Sequence, residues 1–221
     1  TGTYTPSSTT CSSFILDNGS IWASGQNGYG QLGQNSATAT YASWVQIPKI
    51  NGNNWGGVYS NGVSTYAWTD SSSGNLLYAC GVNSWATLGV GTNVNVLAMT
   101  PCLDCSGTQI SNVKKVLSMQ IDSTTHNATY VLLNNGDLYM TGQAGGNSAG
   151  TGSSLIITSY TYMFVGPILK EVANFELSNY GILALLTSGI AKICGLMQNG
   201  FGLAVAVGIN PSWQEVYIGG D

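Results

Sequence analysis

Cys102 and Cys105, in "TPCLDCSG", are the one C-x-x-C pair of the chain. That spacing suits a redox pair, a local disulfide or half of a zinc site. Zinc takes about four ligands, yet the remaining cysteines lie far off in sequence and His126 is the only histidine. Metal is therefore the weakest of the three readings, while a Cys102–Cys105 disulfide and free thiols both stay open. His126 falls in the polar run "STTHNATY". It is the only base that titrates near neutral pH. Nothing singles out a Ser, Cys or Asp to work with it, so a surface histidine is expected and no catalytic residue is assigned. The run "GQNGYGQLG", residues 25 to 33, lacks the Gly-Lys-Ser/Thr and the helix that a phosphate cradle needs. No cofactor and no metal are expected. The sequons at Asn18 and Asn127 matter only in a secreted eukaryotic chain.

Aromatic side chains are the other candidates for recognition. Tyr41 and Trp44 stand in a loop-to-strand region, where amphipathic rings anchor protein or sugar contacts. The competing reading packs Trp44 between sheets.

Composition bounds the elements that must position these residues. The chain has 221 residues, of which 6% are charged and 43% hydrophobic, with a net charge of -4. Five basic residues leave no electrostatic footprint for a phosphate backbone, so nucleic acid is not an expected partner. Sparse charge with abundant Ser, Thr, Asn and Gly points to an all-β protein with a surface of hydroxyls and amides, as in extracellular and virion proteins. The chain starts at Thr1 without a readable leader, which suggests a removed leader or a piece of a longer polypeptide. The apolar stretch from Tyr180 to Asn210 is long enough to span a bilayer. It carries Lys192 near its middle and is broken by Ser188-Gly189 and Asn199-Gly200, so no membrane span is expected.

An internal repeat organises the whole chain. An apolar run, a tight polar turn and a second apolar run close on Gly25, Gly81, Gly142 and Gly195, at intervals of 56, 61 and 53 residues. Asn18-Gly19 and Asn135-Gly136 are read as two-residue hairpin turns with positive φ at both positions. Gly74 and Gly189 take the same role. Aligned on the closing glycine, the second strand reads Ile21, Leu77, Leu138, Ala191; then Trp22, Tyr78, Tyr139, Lys192; then Ala23, Ala79, Met140, Ile193; then Ser24, Cys80, Thr141, Cys194. Such near-continuous apolar strands are buried on both faces. Further strands end at Pro48, Pro101 and Pro167, and each is followed by another apolar strand. About four strands per repeat make an all-β propeller of four-stranded antiparallel blades, about four of them, as a partial or oligomer-completed ring. The approximate blades are 1–62, 63–120, 121–176 and 177–221. By their place in the repeat, Tyr29, Trp85 and Phe201 are structural.

The stretch "LDNGSIWASGQNGYGQLG" resembles the repeat of the regulator of chromosome condensation propellers, whose pattern runs Gly-x-Asn-x-x-Gly-Gln-Leu-Gly after a glycine turn and a strand. The first copy matches at Gly19, Gly25, Asn27, Gly30, Gln31, Leu32 and Gly33, and the second at Gly81, Asn83, Leu88 and Gly89. The third keeps Gly142 and Gly150; the fourth keeps Gly195, Asn199, Gly200 and Gly202 with stretched spacing. On this resemblance the glycines make a backbone crossover inside a blade, where positive φ and close approach are needed. The family closes a ring of seven blades, so the missing part is expected from the rest of a longer chain or from copies of this one. The function expected is a non-enzymatic structural or adhesion module on a phage particle or bacterial surface, binding protein subunits or a host glycan. The alternatives implied by the resemblance are an exchange factor for a small GTPase and a secreted enzyme inhibitor.

Overall fold

The computed structural model describes residues 12–120, 126–144, 162–177, 181–196 and 209–216. Apart from one 3-10 turn, Ser71–Ser73, the described residues hold no helix. They form four antiparallel sheets. The first contains β1 (Ser12–Asp17), β2 (Ser20–Gln26) and β3 (Thr40–Gln46) in that order. The second runs β4 (Trp55–Ser60), β5 (Ser64–Thr69), β6 (Leu77–Gly81) and β7 (Val96–Pro101). β8 (Val113–Gln120), β9 (His126–Leu133), β10 (Leu138–Ala144) and β11 (Val165–Leu169) make the third. The fourth consists of β12 (Val172–Leu177), β13 (Gly181–Leu186), β14 (Ala191–Leu196) and β15 (Ile209–Val216). Each sheet is one propeller blade with sequential strand order.

The sheets are cut at other points than the intervals 1–62, 63–120, 121–176 and 177–221. Those intervals put the strand after each proline at the end of a unit. In the sheets that strand opens the next blade: β4 pairs with β5, β8 with β9 and β12 with β13. Repeat counting finds the period but not the phase, because only hydrogen bonding decides which sheet owns a connecting strand. The segment considered as a membrane span contains the β13–β14 hairpin. No helix among the described residues is long and apolar enough to cross a membrane.

The hairpin turns are of three kinds. Asn18 and Gly19 have φ of 47° and 73° and join β1 to β2 through a two-residue turn, as expected. Asn135-Gly136 does not follow that pattern. Only Gly136 has positive φ, at 88°, and its N–H donates to the Leu133 carbonyl while the Leu133 N–H donates to Asp137. This is a three-residue loop with the glycine at its left-handed position. Gly189 repeats it between Leu186 and Ile190. The second blade inserts the 3-10 turn, capped by the Asp70 carboxylate accepting from the Ser73 N–H and closed by Gly74 at φ 83°.

Three apolar cores lie between the four sheets. Ile21, Ala23, Leu32 and Ile47 meet Trp55, Ala67, Tyr78, Cys80 and Met99 between the first and second. Tyr66, Leu77, Ala79 and Leu88 meet Val116, Val131 and Phe164 between the second and third. Tyr130, Leu132, Leu138 and Met140 meet Val172, Phe175, Ile182, Ala184 and Cys194 between the third and fourth. Alternation along a strand sends successive side chains to opposite faces. Hence Leu77 and Ala79 face forward, Tyr78 and Cys80 face back, and every residue of β6 is buried.

Candidate functional site

The Gly-x-Asn-x-x-Gly-Gln-Leu-Gly segment is a crossover inside a blade, as expected: it links β2 to β3 in the first, its second copy links β6 to β7 in the second, and each leans on the following blade. Closely spaced turns carry it. Gly30 N–H donates to the Asn27 carbonyl and Gly33 N–H to Gly30; Ala86 donates to Asn83 and Gly89 to Ala86 in the second copy. A buried asparagine staples each loop. Asn27 accepts from the Leu32 N–H at 2.9 Å and donates to the Ser36 carbonyl at 2.8 Å. Asn83 accepts from Leu88 at 3.0 Å and donates to Thr92 at 2.7 Å. The amide supplies one donor and one acceptor to backbone groups that no strand could reach, which is why Asn occupies this place.

Close approach to the next blade explains the glycines. A side chain on Gly30 would meet the Leu97 backbone of β7 at 2.6 Å, and one on Gly89 would meet the Phe164 ring at 2.4 Å. The loop then hands carbonyls to the following blade. Gln31 accepts from the Thr65 hydroxyl at 2.7 Å and from the Cys80 thiol. Ala86 accepts from Thr141 of the third blade at 2.8 Å, while Thr87 accepts from the Tyr66 phenol of its own blade at 2.9 Å. Burial pushes the Cys80 thiol and the Tyr66 hydroxyl well above their ordinary pKa values, so both remain neutral donors. Gly25, Gly81 and Gly142 close their strands at φ of 110°, 108° and 94°. Gly195 pairs with Gly181 in the fourth blade. Gly150, like Phe201, lies outside the described residues.

Tyr41 and Trp44 do not form one site. Tyr41 packs against the core between the first two sheets. Trp44, three residues on, points to the other face and is 46% exposed, so it does not pack between the described blades. It shares that face with Trp22, whose neighbour across the strand pair is Gln46. Trp22 is 38% exposed and was not singled out for recognition from sequence. Its signal was present: it aligns with Tyr78, which is buried. Tyr29, expected to be structural, is exposed at the tip of the first crossover, and Trp85 is half-buried.

The cysteine pair is not bridged. Cys102 and Cys105 are both free; Cys102 is fully buried in the core between second and third blades, whereas Cys105 is exposed. Between them Asp104 organises a tight turn, accepting from the Ser106 N–H and hydroxyl and from the Thr108 N–H. Partial burial raises the Asp104 pKa, but these hydrogen bonds outweigh it and the carboxyl lies below its usual range. Burial drives the Cys102 thiol far above its ordinary pKa, with Cys80 adding to the effect, so it is no nucleophile. His126 begins β9 opposite Ala144 rather than lying in a turn. Asn127 beside it is 1% exposed, which closes that sequon to a glycan. Among the described residues no three His, Cys, Asp or Glu side chains could together hold a metal ion.

Solved structures share this arrangement. Human WBSCR16, an RCC1-like protein, matches over 93% of this chain with a TM-score of 0.68 and 16% identity. Prp20p from Saccharomyces cerevisiae matches over 93% with a TM-score of 0.60 and 17% identity. The fold is an RCC1-type β-propeller. Yeast RCC1 (Prp20) in its complex with Kap60 matches over 94% at a TM-score of 0.50 and 13% identity. The chain spans 50%, 48% and 59% of those three chains, about half their length. No family model matches the sequence.

Proposed function

We propose that this chain is a protein-binding propeller module of the exchange-factor-like kind, working by presenting loops and not by chemistry of its own. The observation behind it is the RCC1-type blade stack, shared over 93% of the chain with Prp20p, a protein studied for its binding to Gsp1p and histones. A second structure of that same protein, yeast RCC1 (Prp20), was solved bound to Kap60. Fold alone does not fix function, so the support is that these RCC1-type neighbours are protein binders. A propeller suits the task because rigid blades hold their loops at fixed separations. Exposed Tyr29, at a crossover tip, supplies an aromatic anchor of the type that dominates protein interfaces. Display on a virion or bacterial surface, with a host glycan as ligand, has only the low charge in its favour.

The test is direct binding of the chain to a small GTPase in nucleotide-free and GDP-bound forms, with release of a fluorescent GDP followed in parallel. Preferred binding of the nucleotide-free form, weakened roughly tenfold or more by Tyr29→Ala, is the expected result, since a hot-spot aromatic contributes at least about 1.4 kcal/mol. Absence of binding to either form refutes the exchange-factor-like reading.

A further inference from the structure

The two outward faces of the blade stack are not alike, and the internal repeat says what each is built to meet. Every inner junction brings the forward face of one sheet against the backward face of the next. Backward faces carry the residues three and one before the closing glycine, with a side chain from the last strand. In the second blade these are Tyr78, Cys80 and Met99, exposed 4%, 0% and 7% because the first blade covers them. Register alignment puts Trp22, Ser24 and Trp44 of the first blade at the same three places. Yet Trp22 and Trp44 are 38% and 46% exposed. Large rings stand where the fold elsewhere buries a tyrosine and a methionine.

The opposite end offers the complementary surface. Forward faces carry the residues two and four before the closing glycine together with their partners across the hairpin. Tyr66 and Leu77 do this in the second blade, Tyr130 and Leu138 in the third. In the fourth, Leu183 with Ile193 and Leu185 with Ala191 hold these positions; Ile193 is 2% exposed and Leu183 and Ala191 are half-buried, so the open part of this face is its Leu185 end. Leu185 is 45% exposed.

We propose that the Trp22/Trp44 face docks on the Leu183/Leu185 face of a second copy of this chain, head to tail, extending the blade stack across the boundary between molecules. Three observations favour a second copy over an unrelated partner. Both halves of the junction are present on one chain. Their residues continue an interface the molecule already builds three times. The solved propellers are about twice as long as this chain, so two copies supply a comparable number of blades. The contact is heterologous, so two copies close into a ring only if the rotation per blade allows, and otherwise the stack stays open. It does not depend on which protein the propeller loops bind.

The experiment is mass determination by light scattering and sedimentation over a range of concentrations. The wild-type chain is expected to run at twice the chain mass or above, dissociating on dilution. Trp22→Lys with Trp44→Lys removes one face, and Leu183→Lys with Leu185→Lys removes the other; each double variant should be monomeric. Lysine is compatible with this strand, because the fourth blade carries Lys192 at the place of Trp22, 4.0 Å from Glu215. Each variant keeps one intact face of opposite kind, so mixing the two should restore a one-to-one dimer. A monomeric wild type at all concentrations, or wild-type mass in both variants, overturns the proposal. So does failure of the two folded variants, checked by circular dichroism, to combine.

Discussion

Replacing Asn83 by Ala should be among the most damaging polar substitutions in this molecule, although the residue touches no ligand. Its side chain is fully buried. It accepts from the Leu88 N–H at 3.0 Å and donates to the Thr92 carbonyl at 2.7 Å. Truncation strands the Leu88 N–H in the core, at a cost of about 1–3 kcal/mol for a buried unsatisfied donor. Thr92 is exposed, so its carbonyl recovers a water and the net loss there is only about 0.5–1.5 kcal/mol. The sum, about 2–4 kcal/mol, corresponds to a fall in melting temperature of roughly 5–15 °C for a chain of this size. Urea titration followed by circular dichroism and tryptophan fluorescence measures it. Asn83→Asp is the discriminating control, since it keeps the acceptor but buries a carboxyl against the Thr92 carbonyl. Its deficit should shrink on acidification, when a protonated carboxyl can donate again, whereas that of the Ala variant should not. A loss below about 1 kcal/mol for Asn83→Ala would refute the view that the amide holds the crossover, because even one stranded donor costs that much.

Gly89→Ala combines strain with collision: φ is 65° and the added carbon would lie 2.4 Å from the Phe164 ring. A loss of about 2–4 kcal/mol is expected, and Phe164→Leu in the same chain should relieve the clash but not the backbone strain, giving partial rescue in the same titration. Thiol labelling of the native chain with a disulfide reagent should modify Cys105 at once and leave Cys80 and Cys102 unreacted until denaturant is added; equal rates would contradict the burial. Alkaline stability follows from the raised pKa values of Cys80, Cys102, Cys194 and Tyr66. Each group stays neutral in the folded chain while the unfolded chain ionises, so its contribution is complete below its ordinary value, 9.0 for the thiols and 10.0 for the phenol, and is lost as pH rises above it. Unfolding free energy should fall between about pH 9 and 11 by up to about 1.4 kcal/mol per pH unit for each such group, with the Cys80→Ser variant showing a shallower slope. A flat profile would contradict the assignment.

What could be read from the sequence was whatever a single strand or turn encodes by itself. Closing glycines at 25, 81 and 142 adopt the positive φ that their repetition implied, and the second-strand alignment turned out to be a true structural register, since every hairpin pairs residues at matching distances from the glycine. Blade phase was hidden, because a strand such as Trp55–Ser60 has the same apolar pattern whichever sheet it joins. The turn at Asn135-Gly136 was hidden for a subtler reason. The dipeptide permits a two-residue turn, yet Asn134 ahead of it and Asp137 after it make the longer loop favourable, with the Asn135 side chain accepting from the Asp137 N–H and donating to its carboxylate. The C-x-x-C spacing of Cys102 and Cys105 left disulfide and free thiols both open because burial, which sequence does not display, is what separates the two thiols.

The divergence along the repeat also has a physical order. Positions inside a crossover answer to backbone geometry common to all blades, so Asn27 and Asn83 remain identical while Gly30 is replaced by Ala86 at a φ of 55°, a non-glycine residue tolerating the left-handed region. Positions on a blade face answer to whatever the neighbouring blade presents, so they are free to drift together. At the second junction the Tyr59 hydroxyl donates to the Ser118 carbonyl at 3.0 Å. At the third junction, recognition is partly ionic instead: Lys115 donates to the Phe175 carbonyl at 2.6 Å and reaches Glu176, while its charge lies 5.3 Å from the Phe175 ring. Each junction is thus a distinct lock on a common frame. A stack built this way discriminates among its own faces, and a large apolar residue at a face position is informative about a neighbour even where none is in place. Trp22 and Trp44 are the instance in this chain: their size exceeds what a solvent-facing strand requires, and their register matches what a neighbouring blade buries.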